Sequence, residues 1–215
     1  MAMRLDPSRP EPTAGGPGNG DHPGASRALR AAGSAWRTRD IVVTAVIGVA
    51  FGVVFWAWGL AWGVFEPLNA VFPVLRDSLY AIWLVPAVLA PLIVRKPGAA
   101  IFAETVAAGV SALIGSQWGV DALVSGIVQG AGAELIFALV MYRSWSLPIL
   151  ALAAIASSVA AWIHDWVLWY PDVAVELQLA RGILMAMSAV VFVAAGSRWL
   201  ADALRRAGVL DAFPG

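Results

Sequence analysis

Between residues 41 and 199 the chain runs through one stretch after another, each of 16 to 25 residues, that is almost free of charge. This constrains the fold more than any motif does. An α-helix rises about 1.5 Å per residue, so roughly 20 apolar residues cross the hydrocarbon of a bilayer. Every backbone N–H and C=O there must be paired within the protein, which leaves helix bundles and closed barrels as the spanning structures. A barrel would alternate with a period of two, whereas "ALVMYRSWSLPILALAAIASSVAAWI" is apolar at nearly every position. The chain therefore reads as an all-α membrane protein. Its composition agrees: 60% hydrophobic, 13% charged, mean hydropathy +0.77.

The pattern predicts six spans, at about 41–65, 79–94, 98–116, 122–141, 147–169 and 174–199. The second is short and carries Pro86 and Pro91, so it is expected to be kinked or tilted rather than a simple rod. Residues 1–35, with "DPSRPEPTAGGPGNGDHPG", are rich in Pro, Gly and charge. They have too little apolar surface to offset their ordering entropy and are expected to form a disordered tail. No apolar core precedes a small-residue cleavage site there, so a secretory signal is not expected. Residues 36–204 form the expected membrane domain, and 205–215 a short C-terminal tail.

Net charge is zero and gives no reason to expect nucleic acid; the placement of the charges carries the information. Arg37, Arg39, Arg95, Lys96, Arg143, Arg198, Arg205 and Arg206 flank one side of the six spans, against Arg76 and Arg181 on the other. The positive-inside rule then predicts both termini in the cytoplasm. "RKPG" at residues 95–98 reads as a tight cytoplasmic turn between spans two and three. Glu66, Asp77, Asp121, Asp165, Asp172 and Glu176 gather on the outer side and would bias that mouth towards cations.

Two carboxylates lie inside the spans, Glu104 about two turns into span three and Glu134 deep in span four. A charge at such depth costs a few kcal/mol, so these residues are expected to face the bundle interior. There they either touch a ligand or pair with Gln129, a serine or each other to hold helices together. Gly126, Gly130 and Glu134 share one helix face, a groove for close backbone approach with an acid at its inner end. In span five, Ser158, Trp162, Asp165, Trp166 and Trp169 fall on one side and His164 on the other. Of eleven tryptophans, Trp56, Trp58, Trp62, Trp83, Trp118, Trp162, Trp166 and Trp169 lie in the outer half, and only Trp36, Trp145 and Trp199 serve the inner one. An interfacial belt would be comparable on both sides. The excess predicts aromatic walls around an outward pocket, suited with the carboxylates to a flat cationic ring.

The only histidine outside the tail is His164, which has no second His or Cys to make a metal site and is expected to bond a neighbouring helix or the ligand. Gly48 and Gly52 form a small-xxx-small pair that permits tight contact within the bundle or with another subunit. There is no cysteine, and with it go disulfides, thiolate metal sites and cysteine nucleophiles. Lys96 is the only lysine and no GxxxxGK loop occurs, so a P-loop ATP site is excluded, as are the HExxH and GxSxG hydrolase signatures. Neither an enzyme nor a resident cofactor is expected.

"WLVPAVLAPLIVRKPGAAIFAE", "QGAGAELIFA" and the aromatic end of span five resemble the YkoE family, substrate-specific S components of energy-coupling factor (ECF) transporters linked to thiamine or its hydroxymethylpyrimidine precursor. The similarity runs from about residue 36 to 204. It implies a six-helix bundle in the cytoplasmic (inner) membrane, binding its vitamin near the outer surface. It also implies partners: a transmembrane coupling subunit, docked through small residues such as Gly48 and Gly52 on the first helix, and two cytoplasmic ATPases. On this reading Glu104, Gln129 or Glu134 holds the aminopyrimidine, Trp62, Trp83, Trp162 and Trp166 stack on the thiazolium, and Asp165 supplies charge. The competing classes are an assembly subunit of another membrane complex, with no saturable ligand, and a solitary facilitator that needs no ATPase.

Overall fold

In a computed structural model, residues 35–65, 67, 74–211 and 213 are described. The chain divides into two units, 1–35 and 36–215, and of the first only Ala35 is described. The expected N-terminal tail thus lies outside the described residues, as does most of the loop that joins the first two spans.

The six spans are helical, with no strand among the described residues. The first is α1, Thr38–Val64. The second begins as a 3-10 helix, Leu75–Leu84, and continues as α2, Val85–Val94. Then come α3 (Ala99–Leu113), α4 (Asp121–Leu139) and α5 (Leu147–Leu168). The last span is α6 (Val175–Ser188), a π-helical stretch Ala189–Ala195, and α7 (Gly196–Arg206). Five of these spans are long and apolar enough to cross a membrane, and α3 is the shorter sixth.

The second span is the hub, with 83% of its most apolar window buried. Its α2 half touches α1, α3, α4, α5 and α7, while α1, α3, α4, α5 and the last span pack against one another in that order around it. The kink foreseen from its prolines takes the form of a change of helix type. Ten residues of 3-10 helix give way to α at Val85, next to Pro86. A 3-10 helix rises about 2.0 Å per residue, so 20 residues of the mixed helix reach about 35 Å, beyond the roughly 30 Å of hydrocarbon. Pro91, lacking an N–H, leaves the Ala87 carbonyl without its usual helical donor.

Small residues set the closeness of the ring. A Cβ on Gly48 would lie 2.7 Å from Val106, and one on Gly52 2.5 Å from Val110. The α1 glycines are therefore used against α3 of the same chain, the first of the two contacts the motif allows. On α4, a Cβ on Gly130 would lie 2.7 Å from the Ile101 backbone and one on Gly126 2.5 Å from Ala108, so α3 lies in the groove the spacing foretold.

The first two spans start three to four residues earlier than expected, at Thr38 and Leu75, and two other ends also differ. Helix α3 stops at Leu113, not near 116, because Gly115 (φ 102°) enters the left-handed region, with Ser116 N–H bonding Ser111 O and Gly115 N–H bonding Ala112 O. This is the six-to-one and five-to-two closure of a Schellman motif. The final helix runs on to Arg206, past the expected 199, and Leu210 beyond it is buried in the core.

Candidate functional site

The cavity that matters lies between the 3-10 half of span two and helices α1, α3, α4 and α5. Together with its open mouth it takes in about 640 Å³ of space, part of it continuous with solvent. Its wall is aromatic. Trp62 and Trp83 meet edge to face at 4.7 Å between ring centroids, Tyr80 and Trp83 at 5.2 Å, and Trp83 and Trp118 at 5.2 Å. Phe55 and Trp169 extend the lining. The 3-10 geometry brings Tyr80 and Trp83, three residues apart, onto one edge.

Glu104 reaches this cavity and is 0% exposed. One oxygen, Oε2, accepts the Ala87 backbone N–H at 2.8 Å, a donor available where the 3-10 helix passes into α2. The other, Oε1, is buried without a hydrogen-bond partner in the protein. Burial of an unpaired carboxylate oxygen is costly, and a ligand donor is the group that would offset it. Gln129 stands one helix away, its amide donating to Ser125 Oγ at 2.7 Å and to Tyr80 Oη at 3.2 Å.

The mouth is acidic. Asp121 and Asp165 both line it. Asp121 Oδ2 accepts Trp169 Nε1–H at 2.7 Å, which fastens the end of α5 to the start of α4. His164 sits between the two acids, with Nδ1 3.2 Å from Asp165 Oδ1 and Nε2 3.2 Å from Asp121 Oδ1. The second contact has ion-pair distance without hydrogen-bond alignment. His164 therefore stands between α5 and α4, and its contact with Asp121 is an ion pair only when the imidazole is protonated.

Glu104, Gln129, Trp62, Trp83 and Asp165 thus come together as lining residues. Trp162 and Trp166 stand elsewhere. Trp162 lies flat on Gly182 of α6, where an added Cβ would be 3.0 Å from its ring, and donates to Gln178 O at 2.9 Å. Trp166 packs on Trp162 at 5.1 Å. Glu134 is at the far end of the bundle. It accepts the Gly98 N–H (2.6 Å), the Ala100 N–H (2.9 Å) and the Tyr142 hydroxyl (2.6 Å). It therefore caps the start of α3 and clamps the "RKPG" turn to the turn after α4. Burial and the Glu134 carboxylate push the Tyr142 phenol well above its usual range, so it remains a donor. Glu134→Gln keeps one acceptor of two; it is expected to cost about 1–3 kcal/mol in thermal unfolding while ligand affinity stays within about twofold.

Tyr80, Ser111, Ser125 and Tyr170 also line the cavity and were not singled out from the sequence. Small polar residues in otherwise oily helices were the available signal for the serines.

A bundle of helices long and apolar enough to span a membrane, packed around an aromatic, acid-lined cavity, has the architecture of a membrane permease component. A family profile described as an ABC-type cobalt transport system permease component matches residues 39–160. The chain is 33% identical over 177 residues to YkoE of Bacillus subtilis (strain 168), provisionally named an HMP/thiamine permease protein, covering 82% of this chain and 88% of that one. It is also similar to a solved crystal structure of an S component of an ECF transporter, with a TM-score of 0.78 and 33% identity, covering 83% of this chain and 90% of that one. The chain belongs to the YkoE family of ECF S components. It is a multi-pass membrane protein whose class acts with a substrate and with energy-coupling partner modules.

Proposed function

We propose that the protein captures thiamine or its hydroxymethylpyrimidine precursor in the aromatic cavity, as the substrate-binding subunit of an ECF importer. The observation that carries this is the pairing of a buried, unpartnered Glu104 oxygen at the floor with an aromatic wall and two aspartates at the mouth. An exocyclic amine on a pyrimidine is the kind of donor Glu104 Oε1 lacks. A thiazolium is a flat cation of the kind that indole faces and carboxylates attract. Both ring nitrogens of His164 already face carboxylates, and among the described residues no set of three His, Asp or Glu side chains is arranged to ligate a metal. An organic cation therefore fits the donor set better than the cobalt of the matched family description.

In this reading the cavity opens outward and both termini are cytoplasmic in the inner membrane, as the eight flanking cations favour. A transmembrane coupling subunit and two ATPases supply the power that this chain has no motif to supply. Gly48 and Gly52 hold α1 against α3, so they support docking by fixing the helix that a coupling subunit would meet.

The test is intrinsic tryptophan fluorescence of the purified, detergent-solubilised protein, titrated with thiamine, hydroxymethylpyrimidine and biotin as control. Saturable quenching by thiamine at submicromolar concentration is expected. No response of the folded protein to either pyrimidine would favour a different vitamin or the assembly-subunit reading. The same titration separates the two halves of the ligand. Asp165→Asn is expected to weaken thiamine about tenfold, the loss of one charged contact, while hydroxymethylpyrimidine, which has no thiazolium, changes less than about twofold.

A further inference from the structure

The end of the bundle away from the cavity carries a cluster of guanidiniums with too few carboxylates. Asp202 serves two of them, accepting from Arg198 Nε at 3.1 Å and from Arg205 Nη1 at 3.0 Å. The other acids there are engaged or apart. Asp40 accepts the Arg37 N–H at 3.0 Å and faces Arg39 and Lys96. Glu134 is committed to its two backbone donors and Tyr142, and Asp211 is exposed in the turn after α7.

Arg95 completes the cluster. Its Nε is buried and has no hydrogen-bond partner. Arg95 is the C-terminal cap of α2, and α2 packs against α7, which carries Arg198 and Arg205; burial, followed by the positive charges of Arg205 and Arg198, holds the pKa of Arg95 below the ordinary arginine value. Its backbone is left-handed, φ 52° and ψ 44°, at the C-terminal cap of α2, where glycine is the residue that costs least. A bulky cation thus occupies a strained position, and one of its donors is unused. Topology alone would be served by a cation anywhere in the turn.

Arg95 as a whole is half-buried, and the surroundings say what its exposed part would meet. Phe192 and Trp199 on the last span are 57% and 68% exposed. Trp199 adjoins Arg198 in sequence. Apolar and interfacial side chains beside a patch of guanidiniums match acyl chain and headgroup in turn. Planar guanidinium forks bind phosphate oxygens in pairs.

We propose that Arg95, Arg198 and Arg205 form a site for a phosphate oxyanion, supplied by the headgroup of an anionic phospholipid lying along the last span. The site is independent of what the cavity binds.

The experiment measures thermal unfolding of the full-length protein in non-ionic detergent as phosphatidylglycerol, phosphatidylcholine or inorganic phosphate is titrated in. Phosphatidylglycerol is expected to raise Tm saturably and phosphatidylcholine not to. Arg95→Gly is expected to weaken that response about tenfold, the equivalent of one charge-assisted contact. Because glycine is at ease in the left-handed conformation, this variant should fold at least as well as the parent. Arg143→Ala, which removes a cation of the same end outside the cluster, should respond as the parent does. A shift with inorganic phosphate that Arg95→Gly loses would keep the oxyanion site and make its source soluble. An equal response of Arg95→Gly and the parent, an equal effect of phosphatidylcholine, or no response to either anion would overturn the proposal. The last outcome would leave the cluster to an acidic surface of a partner protein.

Discussion

Replacing Glu104 by Gln is expected to weaken thiamine and hydroxymethylpyrimidine alike, by roughly 10- to 150-fold, the equivalent of about 1.5–3 kcal/mol for a hydrogen bond to a charged group. The substitution isolates the interaction because it preserves shape. A glutamine carbonyl can still accept the Ala87 N–H that Glu104 Oε2 takes at 2.8 Å, so the junction of 3-10 helix and α2 stays tied to α3. What changes is the group turned to the cavity. An acceptor with no protein partner becomes an amide donor, which opposes the donor of an aminopyrimidine. Ligand-free thermal stability should not fall, since a buried ionisable group is removed. Affinities come from fluorescence titration, and unchanged affinity for both ligands would reduce Glu104 to a helix-tying role. Loss confined to thiamine would assign the carboxylate to the thiazolium half instead.

The second large effect concerns stability. Arg181 is buried and bonds Asp77 through both Nε (3.0 Å) and Nη2 (3.2 Å), while Nη1 meets Gln178 Oε1 at 3.3 Å. Its guanidinium also lies 3.7 Å from the centre of the Tyr170 ring, which lines the cavity. This pair fastens α6 to the 3-10 half of span two. Arg181→Met or Asp77→Asn alone strands a buried charge and should cost about 3–5 kcal/mol, read as a lower Tm. Asp77→Asn combined with Arg181→Met removes both charges of the pair and is expected to recover most of that loss. A double variant as unstable as the sum of the singles would mean that the two groups act separately. Affinity should fall in the singles as well, because Tyr80 and Trp83 ride on the segment that the pair anchors.

Both cations that run against the positive-inside pattern are thereby accounted for. Arg181 is held by Asp77, and Arg76 lies over the Trp62 ring at 4.5 Å. From the sequence they were exceptions in a count of charges. Their partners could not be read there, because Asp77 and Arg181 are 104 residues apart and nothing local links them.

The sequence by itself determined the class of fold. Length and continuity of apolar runs set six helices, since backbone groups in hydrocarbon have no other way to be satisfied. It also determined that Gly126, Gly130 and Glu134 form a groove closed by an acid, because helical spacing fixes which residues share a face. The tertiary structure alone decided the work of each buried carboxylate. Glu104 and Glu134 are the same residue in similar oily settings, yet one meets a single N–H and a cavity, and the other two N–H groups and a phenol. It likewise divided the aromatic side of α5, turning Asp165 and Trp169 to the cavity and Trp162 and Trp166 towards α6. A helical period places side chains on an arc; which part of that arc faces a ligand depends on how neighbouring helices pack, and that is fixed by contacts far apart along the chain.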